Sequence, residues 1–592
     1  MKRNFFRYAA LAATVALGAC DLAIDNPTQG DTERVLGSPA DAEALISTYY
    51  KRWSSGVYGS TTNMEGMASM MSLMNYSSLA NNCLNNHAPF AGISNTNTPG
   101  NVCNGEQSRL YQFMNEVTRV ASNFLEQMDN GLTLGSTAPA TDARNIKAKA
   151  WAEFLRGLSL GYLALMHDSS SIISQNMVTT EPDCVDQGGV CAGALRPYTQ
   201  VMDSAFAALQ RSLDLTNTPT ATLTGTGGFP IDNSWLPSPT VWTPTEFTKL
   251  IRSYRARFRA NVARSSAEAV DWQAVVDDAA AGITADHLVT TSTTTGPGLA
   301  WRTQFDAWTT WHQMPPFIIG MADTSGSYQS WLNTPLVDRG AGNVGFFMVT
   351  PDLRFPQGNT RAAQQTDFAV TSCETASTPC KRYFVNRAAA SDQFSGAGWG
   401  WSNYDFVRFH SWNIRGDGTA RNGNTPFMMK AEIDLLQAEG LYKLNATANA
   451  AAIAALINTT RTRGMSATAP IVATGGGLPP VAAVATGPAT GVMPACVPKV
   501  PKPSPTLVCG DLWEALKYEK RIETAFTHYA PWYLDSRRWD DLPKDTPLYW
   551  AVPYNDLQAR GRPISALYGT GPGGPPAGNA ANSTAPGSSY GW

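Results

Sequence analysis

Charge is scarce in this 592-residue chain. Only 15% of its residues are Asp, Glu, Lys or Arg, against about 25% in an average soluble domain. The 44 basic residues nearly cancel the 47 acidic ones, leaving a formal net charge of −3. That balance excludes a disordered acidic chain, and it excludes a nucleic-acid binder, which needs a basic excess to release counterions. Histidine is sparse too: His87, His167, His287, His312, His410 and His528 are scattered without an H-E-x-x-H pair. Nine cysteines contain no C-x-x-C, so no zinc signature is present, and no metal or cofactor is expected. Gly225-Thr226-Gly227-Gly228 runs into Phe229-Pro230 instead of a helix start, which makes it a turn and not a phosphate cradle. Arg415-Gly416-Asp417 is also read as a turn.

What is plentiful is aromatic and loop-forming. Seventeen Trp stand beside 22 Phe, and 50 Gly with 38 Pro promise long connections. The length is ample for a large core and suggests several domains only as a prior.

The N-terminus reads MKRNFFRYAALAATVALGAC. Lys2, Arg3 and Arg7 form a basic n-region, and the apolar run Tyr8–Leu17 is too short to span a bilayer as a stable helix. It ends in Leu17-Gly18-Ala19-Cys20, which resembles a bacterial lipobox. In such signals residues 1–19 are removed and Cys20 carries the lipid, several acyl chains giving a firm anchor at about 0.8 kcal/mol per buried methylene. Asp21 follows, a residue that resembles a retention signal in some bacteria and leaves the leaflet open. Eight cysteines remain, allowing 105 connectivities. They fall as neighbours bracketing loop-like segments, so export into an oxidising compartment predicts the pairs Cys83/Cys103, Cys184/Cys191, Cys373/Cys380 and Cys496/Cys509.

Between leader and tail the strongest periodicity is helical. Ser38-Pro39 opens an amphipathic run to about Trp53, and Trp151, Phe154, Leu158, Gly161 and Leu165 form one stripe of a helix over 142–166. Pro197 opens another, with Val201, Ala205, Leu209 and Leu213 on one face. Further helices are expected at 107–129, 245–262, 268–284, 427–445, 449–463 and 511–528, the last with a capping-box-like Asp511 and Glu514. Met64, Met67, Met70, Met71 and Met74 recur at helical spacing and read as core. Helices in pairs suggest stacked hairpins of the TPR kind, without a strict 34-residue repeat. The fold class is therefore mainly α, with long loop-rich insertions at 285–425 and 465–510. The second is an Ala/Gly/Pro/Val stretch expected to be poorly ordered. Residues 20–568 read as one helical domain, and 569–592 as a low-complexity tail.

Two C-terminal segments carry a family resemblance. MMKAEIDLLQAEGLYKL (428–444) is followed by AAIAALINTTRTRG (451–464), and LWEALKYEKRIETAFTHYAPWYLDSRRW (512–539) by YWAVPYNDL (549–557). Together they resemble the SusD/RagB family of outer-membrane nutrient-binding lipoproteins. The matching residues are Glu432, Glu439, Asn458, Arg461, Arg463, Glu519, Arg521, Glu523, Asp535, Arg537, Arg538, Trp539 and Pro553. Asn26-Pro27 and the first helix with Tyr49 and Trp53 resemble the family's start. Where the family has Glu-Gly, this chain has Thr527-His528, so the loop there is expected to differ. The resemblance implies a SusD-like, non-enzymatic binding protein, lipid-anchored in the outer membrane and facing outward. Its implied partners are a SusC-like TonB-dependent transporter and a glycan or peptide nutrient.

Sugar rings offer apolar faces that stack on aromatics. Trp301, Trp308, Trp311 and Trp331, with Trp399 and Trp401 in a Gly-flanked stretch, are therefore the candidate ligand contacts. Each could equally serve a loop's own small core, since Trp is mostly buried. Two other readings stay open. A surface glycoside hydrolase would need a carboxylate pair about 5–9.5 Å apart in an aromatic cleft. Glu519 and Glu523, one helical turn apart beside Arg521, are expected to be structural instead. A TPR-type scaffold that binds only protein is the third reading.

Overall fold

A computed structural model describes residues 37–58, 64–77, 97–100, 105–135, 138–173, 193–292, 297, 312–335, 338, 346–369, 380–387, 402–409, 423–464, 475–502, 505–527, 530–543 and 546–562. The leader, Cys20, the tail, the Arg415-Gly416-Asp417 turn and much of the 285–425 segment lie outside these residues.

The N-terminal half is a set of stacked helices. Helix α1 (Pro39–Tyr58) starts on its N1 proline and buries Ala42, Ile46, Tyr50, Trp53 and Val57, one face at spacings of three and four. Helix α2 (Met64–Met71) places Met64, Met67, Met70 and Met71 in the core, with Met74 just beyond, as their spacing predicts. Strand β1 (Tyr76–Ser77) and helix α3 (Gly105–Asp129) follow. Helix α4 (Ala143–Met166) is capped by Asp142, whose carboxylate accepts from the Arg144 and Asn145 amides. It is buried on nearly every side, because α1, α3 and the later helices surround it. Trp151 on α4 donates its indole N–H to the Ile46 carbonyl at 3.1 Å, which fixes α4 against α1.

Strands β2 (Ser169–Ser171) and β3 (Leu195–Pro197) pair antiparallel and lead into helix α5 (Tyr198–Thr216). Thr243 caps helix α6 (Pro244–Asn261), and Asp271 caps α7 (Trp272–Ala280). Two glycines of α4 set the spacing of this stack. A Cβ on Gly157 would come within 2.6 Å of Leu209 on α5, and one on Gly161 within 2.2 Å of Phe258 on α6.

The 285–425 segment is less loop-like than its composition suggests. It leaves the body on β4 (His287–Thr291) and returns on β8 (Gly423–Met428), which pair antiparallel with Val289 opposite Thr425. Between them lie β5 (His312–Gln313), paired with β1, three short helices α8 (Pro316–Ile319), α9 (Ser327–Asn333) and α10 (Arg361–Asp367), and the antiparallel pair β6 (Phe384–Asn386) and β7 (Tyr404–Phe406). Helix α11 (Lys430–Arg461) then covers both helices expected at 427–445 and 449–463, with the break at Asn445. The Asn445 side chain accepts from the Ala448 amide and caps the second half.

The expectation for 465–510 is corrected over its described part. Residues 475–502 and 505–510 pack against α11 instead of hanging free. Leu478, Val481, Ala489, Val497 and Val500 are buried, β9 (Lys499–Pro501) pairs with β10 (Leu507–Cys509), and Cys496 is bonded to Cys509. The backbone is tied down by α11: Arg461 donates to the Pro479 and Val497 carbonyls, and Asn458 accepts from the Val481 amide. A segment without periodicity gains order from such carbonyl and amide capture. Helices α12 (Leu512–Thr524), α13 (Pro531–Arg538) and α14 (Tyr554–Ala559) complete the chain. Asp511 accepts from the Glu514 amide, as the capping pattern predicts. The departure at Thr527-His528 is flanked by Phe526 and Ala530, both left-handed at φ 55°.

Of the four cysteine pairs expected from the sequence, Cys496–Cys509 is the one whose two members are both described, and it is formed. Cys380 is disulfide-bonded, while Cys373, its expected partner, lies outside the described residues. So do both members of each remaining pair, Cys83 with Cys103 and Cys184 with Cys191. The pairings Cys83/Cys103 and Cys184/Cys191 therefore rest on the sequence alone.

Candidate functional site

Apart from the half-buried Arg463, the charged residues matched in the C-terminal motifs are buried, and they tie distant parts of the chain together. On α12, Glu519 and Glu523 receive one guanidinium: Arg354 Nη1 lies 2.7 Å from Glu519 and 3.0 Å from Glu523. Asp352 holds the same Arg354 at 2.7 Å, Arg408 reaches Glu523 at 3.1 Å, and Tyr383 donates to Glu523. Burial alone would lower the Arg354 pKa, but Asp352 and Glu519 hold it well above its usual value. Glu439 on α11 is bonded by Arg538 at 2.6 Å and by the Trp539 indole at 2.7 Å. Burial would raise Glu439, yet Arg538 and Lys520 pull it down to about 2. Arg257 on α6 forks onto Glu432, Arg521 meets Asp541, and Asp535 takes Lys520. Arg537 donates to the carbonyls of Leu165, Asn261 and Leu548, satisfying the C-terminal ends of α4 and α6. These are charge-assisted clamps. Glu519 and Glu523 are almost inaccessible to solvent and carry no open space for a glycosidic bond.

Of the tryptophans expected to contact ligand, Trp301, Trp308, Trp311, Trp399 and Trp401 lie outside the described residues. Trp331 is described, on α9, and it belongs to the core. Only 9% of it is exposed, with Phe317 edge-on at 4.9 Å, Tyr328 stacked at 5.9 Å and Phe346 at 6.3 Å. A short helix among strands has no other way to bury its apolar side, and its largest residue serves that end. Among the described residues no group of three or more His, Cys, Asp or Glu could hold a metal ion. Nor is any helix among them long and apolar enough to cross a membrane.

An open cavity of about 300 Å³ lies where α3 meets β2 and α14. Its α3 wall is a single stripe, Ser108, Gln112, Asn115 and Arg119, at spacings of four, three and four. Asp556 and Arg560 form the opposite wall, and Ile173 and Pro553 supply apolar surface. Arg560 is fully engaged: Nε donates to Asp556 at 2.7 Å, Nη2 to Ser171 Oγ at 2.8 Å and Nη1 to the Gly193 carbonyl. Tyr111 points its hydroxyl at Asp556, and burial pushes the phenol up. Glu116 at the rim is clasped by Arg52 with contacts of 2.6 and 2.9 Å. Below the cavity, His167 packs edge-on against Tyr111 and Trp550, and Asn97 holds the start of α14 through Val552 and Tyr554. Pro553, Asn555 and Asp556 of its wall belong to the YWAVPYNDL segment, but nothing in the sequence joins that segment to α3, a helix more than 400 positions earlier whose polar stripe is the other legible signal.

No protein-family model matches the chain, and no curated protein matches it. Solved structures do. A SusD superfamily protein from Bacteroides vulgatus superposes with a TM-score of 0.50 at 12% identity, covering 91% of this chain and 98% of that one. A SusD superfamily protein from Bacteroides thetaiotaomicron gives 0.50 at 13% identity over 88% and 96%. The chain therefore has the fold of the SusD superfamily, mainly helical with TPR-like stacking.

Proposed function

We propose that this chain is a lipid-anchored outer-membrane protein of the SusD/RagB family that captures a glycan, or another oligomeric nutrient, at the cell surface. It hands the ligand to a SusC-like TonB-dependent transporter, which performs the energised step. The observation that carries this reading is a SusD-superfamily fold over nine-tenths of the chain, joined to a lipobox ending at Cys20. Low charge suits capture of a neutral ligand, and the loop tryptophans Trp301, Trp308, Trp311, Trp399 and Trp401 are the proposed stacking surface. No catalytic step is proposed, because Glu519 and Glu523 are enclosed and shared with Arg354.

The test has three readouts. Cys20→Ala should move the protein from the membrane fraction to the soluble periplasm. Purified protein on a glycan array should bind without turnover, and the five tryptophans changed together to Ala should abolish that binding. The anchored chain should co-purify with a β-barrel transporter. Hydrolysis of a bound glycan, lost on changing one Asp or Glu, would replace capture by catalysis; protein partners without any glycan would leave the scaffold reading.

A further inference from the structure

The cavity between α3 and α14 has a charge that its own walls do not balance. Its two carboxylates are already neutralised, Glu116 by Arg52 and Asp556 by Arg560. Among the described residues no group pairs with Arg119, half-buried on the α3 stripe and facing the same space. Leaving a guanidinium partly desolvated and unpaired costs free energy that an anion in the cavity would recover. Burial and the nearby Arg560 charge both lower the Arg119 pKa, as expected of two cations sharing one space.

We propose that this cavity binds a carboxylated sugar of the uronic-acid class, its carboxylate on Arg119 and its hydroxyls on Gln112, Asn115 and Asn555. A single free guanidinium suits a monoanion. A phosphate dianion would need a second cation, and the Arg560 nitrogens are spent on Asp556, Ser171 and Gly193. Ile173 and Pro553 offer apolar surface to a ring face, and about 300 Å³ is the low end of small-molecule sites. The inference goes beyond nutrient capture on loop tryptophans, since it rests on other residues and concerns a charged ligand.

Titration calorimetry of the purified chain with galacturonate, galactose, acetate and inorganic phosphate tests it. Galacturonate should bind, and Arg119→Gln should weaken it by at least about tenfold while Arg119→Lys restores part of the affinity. The unfolding midpoint of Arg119→Gln should match the parent, because no partner among the described residues is lost. Absence of galacturonate binding, undiminished binding by Arg119→Gln, or equal affinity for galactose, acetate or phosphate would overturn the proposal. A neutral glycan retained equally by both variants marks the tryptophan surface as separate, so either reading can fail alone.

Discussion

Asp168 stands next in the chain to His167, and the two titrate in opposite senses. Burial keeps His167 neutral, with its pKa lowered to about 4, and does the same to His287, lowered to about 3. Between those values and the ordinary 6.5 the unfolded chain takes up protons that the folded chain refuses. Each imidazole therefore removes stability as pH falls through that window, on the order of 1.4 kcal/mol per pH unit. Asp168 works against them. Burial raises its pKa to about 7 despite Arg264 and nearby backbone amides, and its Oδ1 has no hydrogen-bond partner. The folded chain then binds a proton that the unfolded carboxylate releases, so Asp168 costs stability above pH 4 and most at pH 7 and beyond. Asp168→Asn should be more stable than the parent at pH 8, with the advantage shrinking steadily toward pH 4. Urea midpoints at several pH values read this directly, and a difference independent of pH would refute it. Nothing in the sequence marks Asp168 or Arg119, because both owe their state to residues far along the chain, such as Arg264 and Val552 for Asp168 and Arg560 for Arg119.

Helices were legible wherever one face is apolar and an end is capped. The Trp151, Phe154, Leu158, Gly161 and Leu165 stripe marks α4, and Asp142 closes it. The glycine in that stripe is the contact with α6, where a Cβ would sit 2.2 Å from the Phe258 ring. Gly161→Ala should gain helix propensity yet lose about 1–3 kcal/mol to overpacking, seen as a lowered thermal midpoint; an unchanged or raised midpoint would show that Phe258 can yield. What was not legible is order imposed from outside. Residues 475–510 have no period of their own, and the groups that hold them, Asn458 and Arg461, belong to another helix. Their disulfide was legible, since Cys496 and Cys509 are neighbours among the chain's cysteines. It closes a loop near the 15-residue case, for which the chain-entropy figure is about 3 kcal/mol. Replacing both cysteines by Ser should lower stability by about that amount and expose 475–510 to protease first, with the helical stack still folded. The tryptophans show the same division: their clustering is visible, but whether each faces ligand or core depends on partners such as Phe317 and Phe346 around Trp331.

At the scale of the whole molecule, the question is whether the 285–425 excursion is an appendage or part of the body. Its topology suggests an appendage, for it leaves on β4 and returns on the adjacent β8, and a short turn could join them. Its chemistry says otherwise. Arg354, Asp352, Arg408 and Tyr383 all come from the excursion, and they meet Glu519, Glu523 and Tyr518 of α12 in the interior. Phe406 stacks on Phe526 at 4.9 Å, joining the two aromatic groups. Removing 292–422 would leave the two carboxylates of α12 buried without Arg354 and Arg408, and breaking a buried pair costs about 3–5 kcal/mol. Such a deletion, closed by an Asn-Gly turn between Thr291 and Gly423, should therefore fail to give a cooperative unfolding transition. Adding Glu519→Leu and Glu523→Leu to the deletion should recover soluble, helical protein in part, because apolar groups of similar size no longer demand a counterion. Circular dichroism during a urea titration separates the outcomes. If the simple deletion unfolds cooperatively at the parent's midpoint, the excursion is an independent unit and the clamp around Arg354 is dispensable. If it does not, the segment that bears the loop tryptophans is held to the helical body by the same residues that give the C-terminal motif its pattern.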